Sequence, residues 1–435
     1  MKLLDRIFHL TEHGTTVRRE VVGAFTSFFA IAYIIFVTPG YLSQTGMDYT
    51  AVLVATCVAS ALGCFLSAAF GMPFMLSPGV GLNAFFTYTL CFTMGYTWQQ
   101  GLTVVFLSGL LYLVVTLTPL RDMMITCIPP SMKNAISAGL GMFIALIGLF
   151  NSGIVIAHDG ILSLGAVSSE TTLLAVIGIL LTGVMMAWNM KGAMLIGIVA
   201  TTLLGIPMGV TRMPESVTLS GVSLAPLLFQ LDFSGVFSLG VLPVVSAVIT
   251  FTMCVCFDTL GDLICIAGAG NLLDEKGGLG KYSRAMTVNA LATCIAPCIG
   301  GPAMIPPVEG STGIAEGART GLHAAATGLL FLLAILIAPV AGVIPSAATA
   351  PSLILIGMLM IGNATNIYWH SVEIALPCFL TMIMIPFTYS VADGIGVGFI
   401  SYVAIHLITG KWRRVPPITY GLAAMFVIMY ILSAL

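Results

Sequence analysis

No Asp, Glu, Lys or Arg occurs between Asp48 and Arg121, nor between Arg319 and Glu373. Each of these uncharged runs is long enough for several bilayer crossings, since about 20 apolar residues make one transmembrane helix. A soluble domain carries roughly 25% charged residues, and this chain of 435 residues carries 7%. The period-two alternation of a lipid-facing barrel is absent. The fold class is therefore an all-α polytopic membrane protein.

Apolar runs and their breakers predict spans at 21–42, 51–70, 76–92, 101–118, 134–153, 171–189, 192–206, 239–267, 285–299, 302–318, 321–342, 351–363, 372–390 and 394–409. A further apolar run, 417–434, either spans or lies at the interface. Residues 1–20 are too charged for a cleavable signal peptide, and Leu3, Leu4, Ile7 and Phe8 predict a short amphipathic helix on the inner surface. With the N-terminus in the cytoplasm, every Lys and Arg except Arg212 falls at a cytoplasmic end, including Arg121, Lys133, Lys191, Lys276, Lys281, Arg284 and Arg319. The positive-inside rule asks for this bias. The segment LAPLLFQLDF within 207–238 is read as an interfacial helix on the outer side.

One predicted span cannot be a plain helix. Residues 297–324 read PCIGGPAMIPPVEGSTGIAEGARTGLHA. Pro302, Pro306 and Pro307 remove backbone donors and clash with the preceding turn. Irregular backbone at membrane depth survives only where protein or a wet cavity satisfies it. The expected shape is an extended segment up to Pro307, then a half-helix starting near Glu309. Such broken helices build transporter substrate sites, and an intramembrane carboxylate points to function. A weak internal repeat lays GMPFMLSPGVGLNA (71–84) over GGPAMIPPVEGSTG (300–313), with Pro73 on Pro302, Pro78 on Pro307 and Val80 on Glu309. Seven spans per half is odd, so the halves are inverted, giving about 14 transmembrane segments as two inverted seven-span repeats with two broken spans.

Asp258 and Asp262, in ITFTMCVCFDTLGDLICIAG (249–268), are i and i+4 on one helix face. Two carboxylates a turn apart titrate as a coupled pair. Asn83 is expected to cap the first half-helix, and Phe85 and Phe86 could stack on a planar ligand. Glu316 and Arg319 are expected to pair with each other, and His323, Glu373 and Asp393 to sit at wet span ends. The ten cysteines, Cys57, Cys64, Cys254, Cys265 and Cys378 among them, read as small buried hydrophobes. No spacing suggests zinc, so neither metal nor cofactor is expected. GGLGK (277–281) lacks the spacing of a phosphate loop, and nothing points to nucleic acid. An intramembrane aspartyl protease would need G-x-G-D; residues 259–262 read T-L-G-D, and the two Asp share one helix. No enzyme is expected.

EGSTGIAEGARTGL (309–322), FDTLG (257–261), PGVGLNAFF (78–86), AYIIFVTPG (32–40) and AGAGNLLDEKG (267–277) together resemble the nucleobase–ascorbate transporter superfamily of xanthine/uracil permeases, in its adenine/guanine/hypoxanthine (AzgA-like) branch. The resemblance covers nearly the whole chain. It implies a core domain (21–118 and 239–342), a gate domain (134–206 and 351–409), an outer connection (207–238) and a C-terminal apolar segment (410–435). It implies a short strand and half-helix in the third and tenth spans, with substrate between them. It places Asp258 and Glu309 on the base, with Gly310, Asn83, Val80 and Phe85 around it, and proton coupling on Asp262, Asp258 and Glu309. Gly310 after Glu309, Pro306–Pro307 before it, and Asp262 in place of Thr depart from the branch. The expected activity is proton-coupled import of a purine nucleobase (hypoxanthine, guanine or adenine) across a bacterial inner membrane. Partners are the purine, the proton and the lipid bilayer, and a homodimer stays open. An anion transporter on the same fold is the alternative, disfavoured by the carboxylates.

Overall fold

The computed structural model describes residues 2–118, 129–158, 161–166, 168–211, 223–270, 272, 284–338 and 343–433. Arg121, Arg212, Lys276, Lys281 and the GGLGK segment lie outside them. In chain order the helices are α1 (Lys2–Phe8), α2 (Val17–Ile31), α3 (Ile34–Leu42), α4 (Tyr49–Ala69), α5 (Val80–Ala84), α6 (Trp98–Leu117), α7 (Pro130–Asn151), α8 (Glu170–Ala187), α9 (Ala193–Gly205) and α10 (Val241–Ala269). There follow α11 (Arg284–Cys298), α12 (Ser311–Ala315), α13 (Gly321–Ala334), α14 (Ser346–Ile361), α15 (Val372–Thr388), α16 (Val391–Ile408) and α17 (Pro417–Ser433). Among the described residues, eight helical spans are long and apolar enough to cross a membrane. The chain is a mostly helical, multi-pass membrane protein.

Two short strands interrupt this pattern where the prolines require it. β1 (Ser77–Pro78) precedes α5, and β4 (Met304–Ile305) precedes α12; β2 (Val155–His158) and β3 (Ile161–Leu164) form a separate hairpin. β1 and β4 pair antiparallel, Ser77 with Ile305 and Pro78 with Met304. Flanking backbone is satisfied by side chains of packed helices. Ser67 Oγ of α4 donates to the Phe74 carbonyl at 2.5 Å, the Leu76 N–H donates to Cys64 Sγ at 3.3 Å, and Thr293 Oγ1 of α11 donates to the Met304 carbonyl at 3.2 Å. Cys64 is thus a backbone partner as well as a small hydrophobe. Cys265 is exposed, contrary to the all-buried expectation, because its side of α10 faces outward.

The helices pack in two groups. α2, α4, α6, α11 and α13 contact one another, as do α7, α8, α14, α15 and α16. Small residues set the closest approaches. At the α7–α14 crossing, a Cβ on Gly141 would lie 2.8 Å from the Gly357 carbonyl oxygen. The backbones therefore touch without intervening side chains, as small residues permit between membrane helices.

The interfacial helix expected at LAPLLFQLDF is only a 3₁₀ turn at Ala225–Leu227. It ends at Leu228, which is extended (φ −71°, ψ 123°), and Phe229, with φ 53°, then donates its N–H to the Cys298 carbonyl at 2.7 Å.

Replacing Gly141 with Leu should lower stability by about 1–3 kcal/mol, the usual cost of overpacking. Thermal melts in detergent would show it; an unchanged melting temperature would mean that the crossing opens without penalty.

Candidate functional site

The tenth-span expectation is met in detail. Pro307 is extended (φ −70°, ψ 143°), Val308–Gly310 form a 3₁₀ turn, and α12 follows directly. Glu309 therefore sits in the first turn after the strand. Its side chain is half-buried, and its carboxylate accepts the Tyr33 hydroxyl at 2.7 Å. Helix α10 packs against both the 3₁₀ turn and α12. That contact brings in Asp258 and Asp262, which are also half-buried. Asp262 feels the charges of both Asp258 and Glu309, and Tyr33 feels that of Asp262. Neither aspartate accepts a hydrogen bond from a described residue. Thr259, next to Asp258, accepts from Asn289 Nδ2 at 2.7 Å, which fixes this turn of α10 on α11. Gly310 lies between Met75 of the third span and Ile266 of α10: a Cβ there would be 3.4 Å from Met75 and 3.9 Å from Ile266.

The first half-helix departs from expectation. Its N-cap is Gly79, not Asn83. Asn83 lies in the last turn of α5, so its side chain is directed sideways. Its Nδ2 donates to Thr38 Oγ1 at 2.9 Å, and its buried Oδ1 has no partner among the described residues. Val80 is buried at the start of α5. Phe85 is fully buried, edge-on to Phe251 of α10 with ring centroids 5.1 Å apart, and Phe86 is equally buried. The structure thus gathers Asp258, Asp262, Glu309 and Gly310 into one neighbourhood, with Val80, Asn83 and Phe85 packed in the adjoining half-helix.

Four further residues hold this arrangement, and of them only His323 was singled out from the sequence, as a span-end residue. Tyr33 reaches Glu309 from a break in the first span, where α2 stops at Ile31 and α3 begins at Ile34. Ser27 of α2 and His323 of α13 form a relay. His323 Nδ1 lies 2.6 Å from the Pro73 carbonyl oxygen, which can only accept, so Nδ1 carries the hydrogen. In the neutral ring Nε2 then accepts from Ser27 Oγ at 3.0 Å, and Ser27 Oγ accepts the Gly313 N–H at 3.1 Å. One chain of hydrogen bonds therefore joins the entry of the third span to the second half-helix. His323 is fully buried, not at a wet span end as expected.

Glu20 is also fully buried. Its carboxylate accepts the backbone N–H groups of Arg319, Thr320 and His323 at 2.8, 3.3 and 3.1 Å, and so caps α13. The signal available was a glutamate directly before an apolar run. Glu316 and Arg319 do not pair. Glu316 meets Lys191, while the Arg319 guanidinium donates to the Ile314 and Ala318 carbonyls, because the turn between them points the two side chains apart. Among the described residues no cluster of three metal-ligating side chains occurs.

Residues 18–433 match the model of the Permease family, and the chain belongs to this nucleobase–ascorbate transporter family. It is a transporter and not an enzyme. Relatives include the guanine/hypoxanthine permease PbuG of Bacillus subtilis, 38% identical over 98% of this chain and 99% of the relative. The adenine permease AdeP of Escherichia coli is 36% identical over 98% of this chain and 95% of its own. Among solved structures, the transmembrane domain of the cyanobacterial bicarbonate transporter BicA matches with TM-score 0.67, covering 87% of this chain and 97% of that one, at 16% identity. That likeness concerns the fold alone.

Ser27→Ala would leave the Gly313 N–H and His323 Nε2 unpaired in a buried place. It should cost about 1–3 kcal/mol and speed hydrogen exchange at the Gly313 amide. Exchange at the wild-type rate would mean that the relay does not hold the half-helix.

Proposed function

We propose that the protein is a proton-coupled symporter that imports a purine nucleobase (hypoxanthine, guanine or adenine) across the bacterial inner membrane. The observation that carries this reading is the gathering of Glu309, Asp258 and Asp262 beside paired strands at the tips of two broken spans. The named specificities of the adenine and guanine/hypoxanthine relatives, aligned over nearly the whole chain, support the substrate class. A purine edge carries N–H donors and ring-nitrogen acceptors. Glu309 and Asp258 accept from the donors, and the first-turn backbone N–H groups serve the acceptors.

On this reading the chain makes fourteen crossings in two inverted repeats, with the N-terminus in the cytoplasm. Residues 21–118 and 239–342 form the core, and 134–206 and 351–409 the gate that rocks against it. The division of helix contacts into two groups supports this. An anion substrate, as the bicarbonate transporter's name states for that protein, is disfavoured here, because three carboxylates would repel it in a low-dielectric site.

Asp258 and Asp262 carry the coupling. Protons bound by this pair and a base bound at Glu309 must change each other's affinity by the same factor.

Two measurements test the reading. In purified protein, Glu309→Gln should weaken purine binding by about 2–4 kcal/mol, as for loss of a buried charge-assisted bond; binding within twofold of wild type removes Glu309 from the site. In cells, a protonophore should abolish purine accumulation while sodium removal leaves it intact. Asp262→Asn should preserve exchange of bound base but flatten the pH profile of uptake. Uptake that follows the sodium gradient, or a normal pH profile in Asp262→Asn, removes the pair from the coupling role.

A further inference from the structure

We infer that Tyr33 sets which purines the site accepts, by occupying one of the two carboxylate oxygens of Glu309. The inference rests on the reading of Glu309 as a purine ligand.

The Tyr33 hydroxyl donates to Glu309 Oε1 at 2.7 Å. Tyr33 itself is 2% exposed, whereas Glu309 is half-buried. The bond therefore lies on the protein side of the carboxylate. Among the described residues only Tyr33 and the backbone N–H of Glu309 itself approach the carboxylate, so acceptor sites remain for a ligand, those on Oε2 clear of the phenol. The bond is built in by the backbone. The first span is interrupted at Ala32 and Tyr33, where i+3 bonds such as Ile35 N–H to the Ala32 carbonyl at 3.2 Å replace the regular pattern. The interruption places the phenol against the turn that carries Glu309, and α2 contacts that turn as well.

The consequence follows from what each base presents. Guanine carries N1–H and an exocyclic N2–H side by side. That pair matches both oxygens of a free carboxylate, as the two parallel N–H groups of a guanidinium do. Hypoxanthine carries N1–H alone on the same edge, and adenine an exocyclic N6–H beside an unprotonated N1. Each carboxylate oxygen has two lone pairs, so Oε1 can still accept, but with the Tyr33 hydroxyl already on it Oε1 is the weaker and more crowded acceptor. A base that brings one N–H uses Oε2. A base that brings two must set its second N–H on Oε1 beside the phenol or displace the tyrosine hydroxyl, and poorly paired polar groups are what sites discriminate by most strongly. Tyr33 thus disfavours guanine relative to hypoxanthine and adenine.

The test is Tyr33→Phe, which removes the hydroxyl and keeps the ring, with dissociation constants for guanine, hypoxanthine and adenine measured on purified full-length protein. The guanine-to-hypoxanthine affinity ratio should rise roughly tenfold, the equivalent of one hydrogen bond to a charged group. Tyr33→Leu, with neither hydroxyl nor ring, should move the ratio in the same direction even if it binds all bases more weakly. An unchanged ratio in both variants, with all affinities falling together, would make Tyr33 a structural prop and overturn the inference while leaving Glu309 as ligand. If wild-type protein binds none of the three bases, the purine reading itself falls, and this inference with it.

Discussion

Two residues of strand on each side, Ser77–Pro78 against Met304–Ile305, are the contact on which the site depends. A backbone that leaves the helix inside a bilayer loses the water that would otherwise satisfy it, and each unsatisfied group there costs several kcal/mol. Neither broken span could hold its extended stretch alone. Pairing them solves the problem for both, and it obliges the two half-helices to start close together. The side chains that finish the job are modest: Ser67, Cys64 and Thr293 reach the leftover carbonyl and N–H groups from helices packed behind the strands. The carboxylates then need only sit on the elements that meet there.

Much of this was legible in the residues. Three prolines within six positions, 302 to 307, cannot be helical, and the half-helix begins where their influence ends. The i, i+4 spacing of Asp258 and Asp262 required a shared face, and the long helix α10 packs against the turn that carries Glu309. The repeat of 71–84 in 300–313 pointed to the two segments that do pair.

What the residues concealed are partnerships across large sequence distance. Ser27 and Tyr33 lie in one apolar run and look like ordinary span residues, and Glu20 stands directly before it beside two arginines. Their meaning comes from His323, Glu309 and the start of α13, some three hundred positions away. Local spacing carries no trace of such contacts. Asn83 failed for a different reason. It has the chemistry of a cap, but Gly79 takes the cap position four residues earlier, and the amide turns to Thr38 instead. Glu316 and Arg319 have the spacing of a helical pair, but α12 ends at Ala315, so there is no helix left to align them.

The Lys191–Glu316 pair bridges the two helix groups: Lys191 precedes α9, which packs on α8 and α14, and Glu316 follows α12, which packs on α2. Its side chains are 57% and 38% exposed, so the bond is made in water. An exposed pair of this kind contributes about 0–1 kcal/mol and weakens as salt rises. It behaves as a latch with little holding force, one that thermal motion opens many times over before the buried contacts behind it begin to yield.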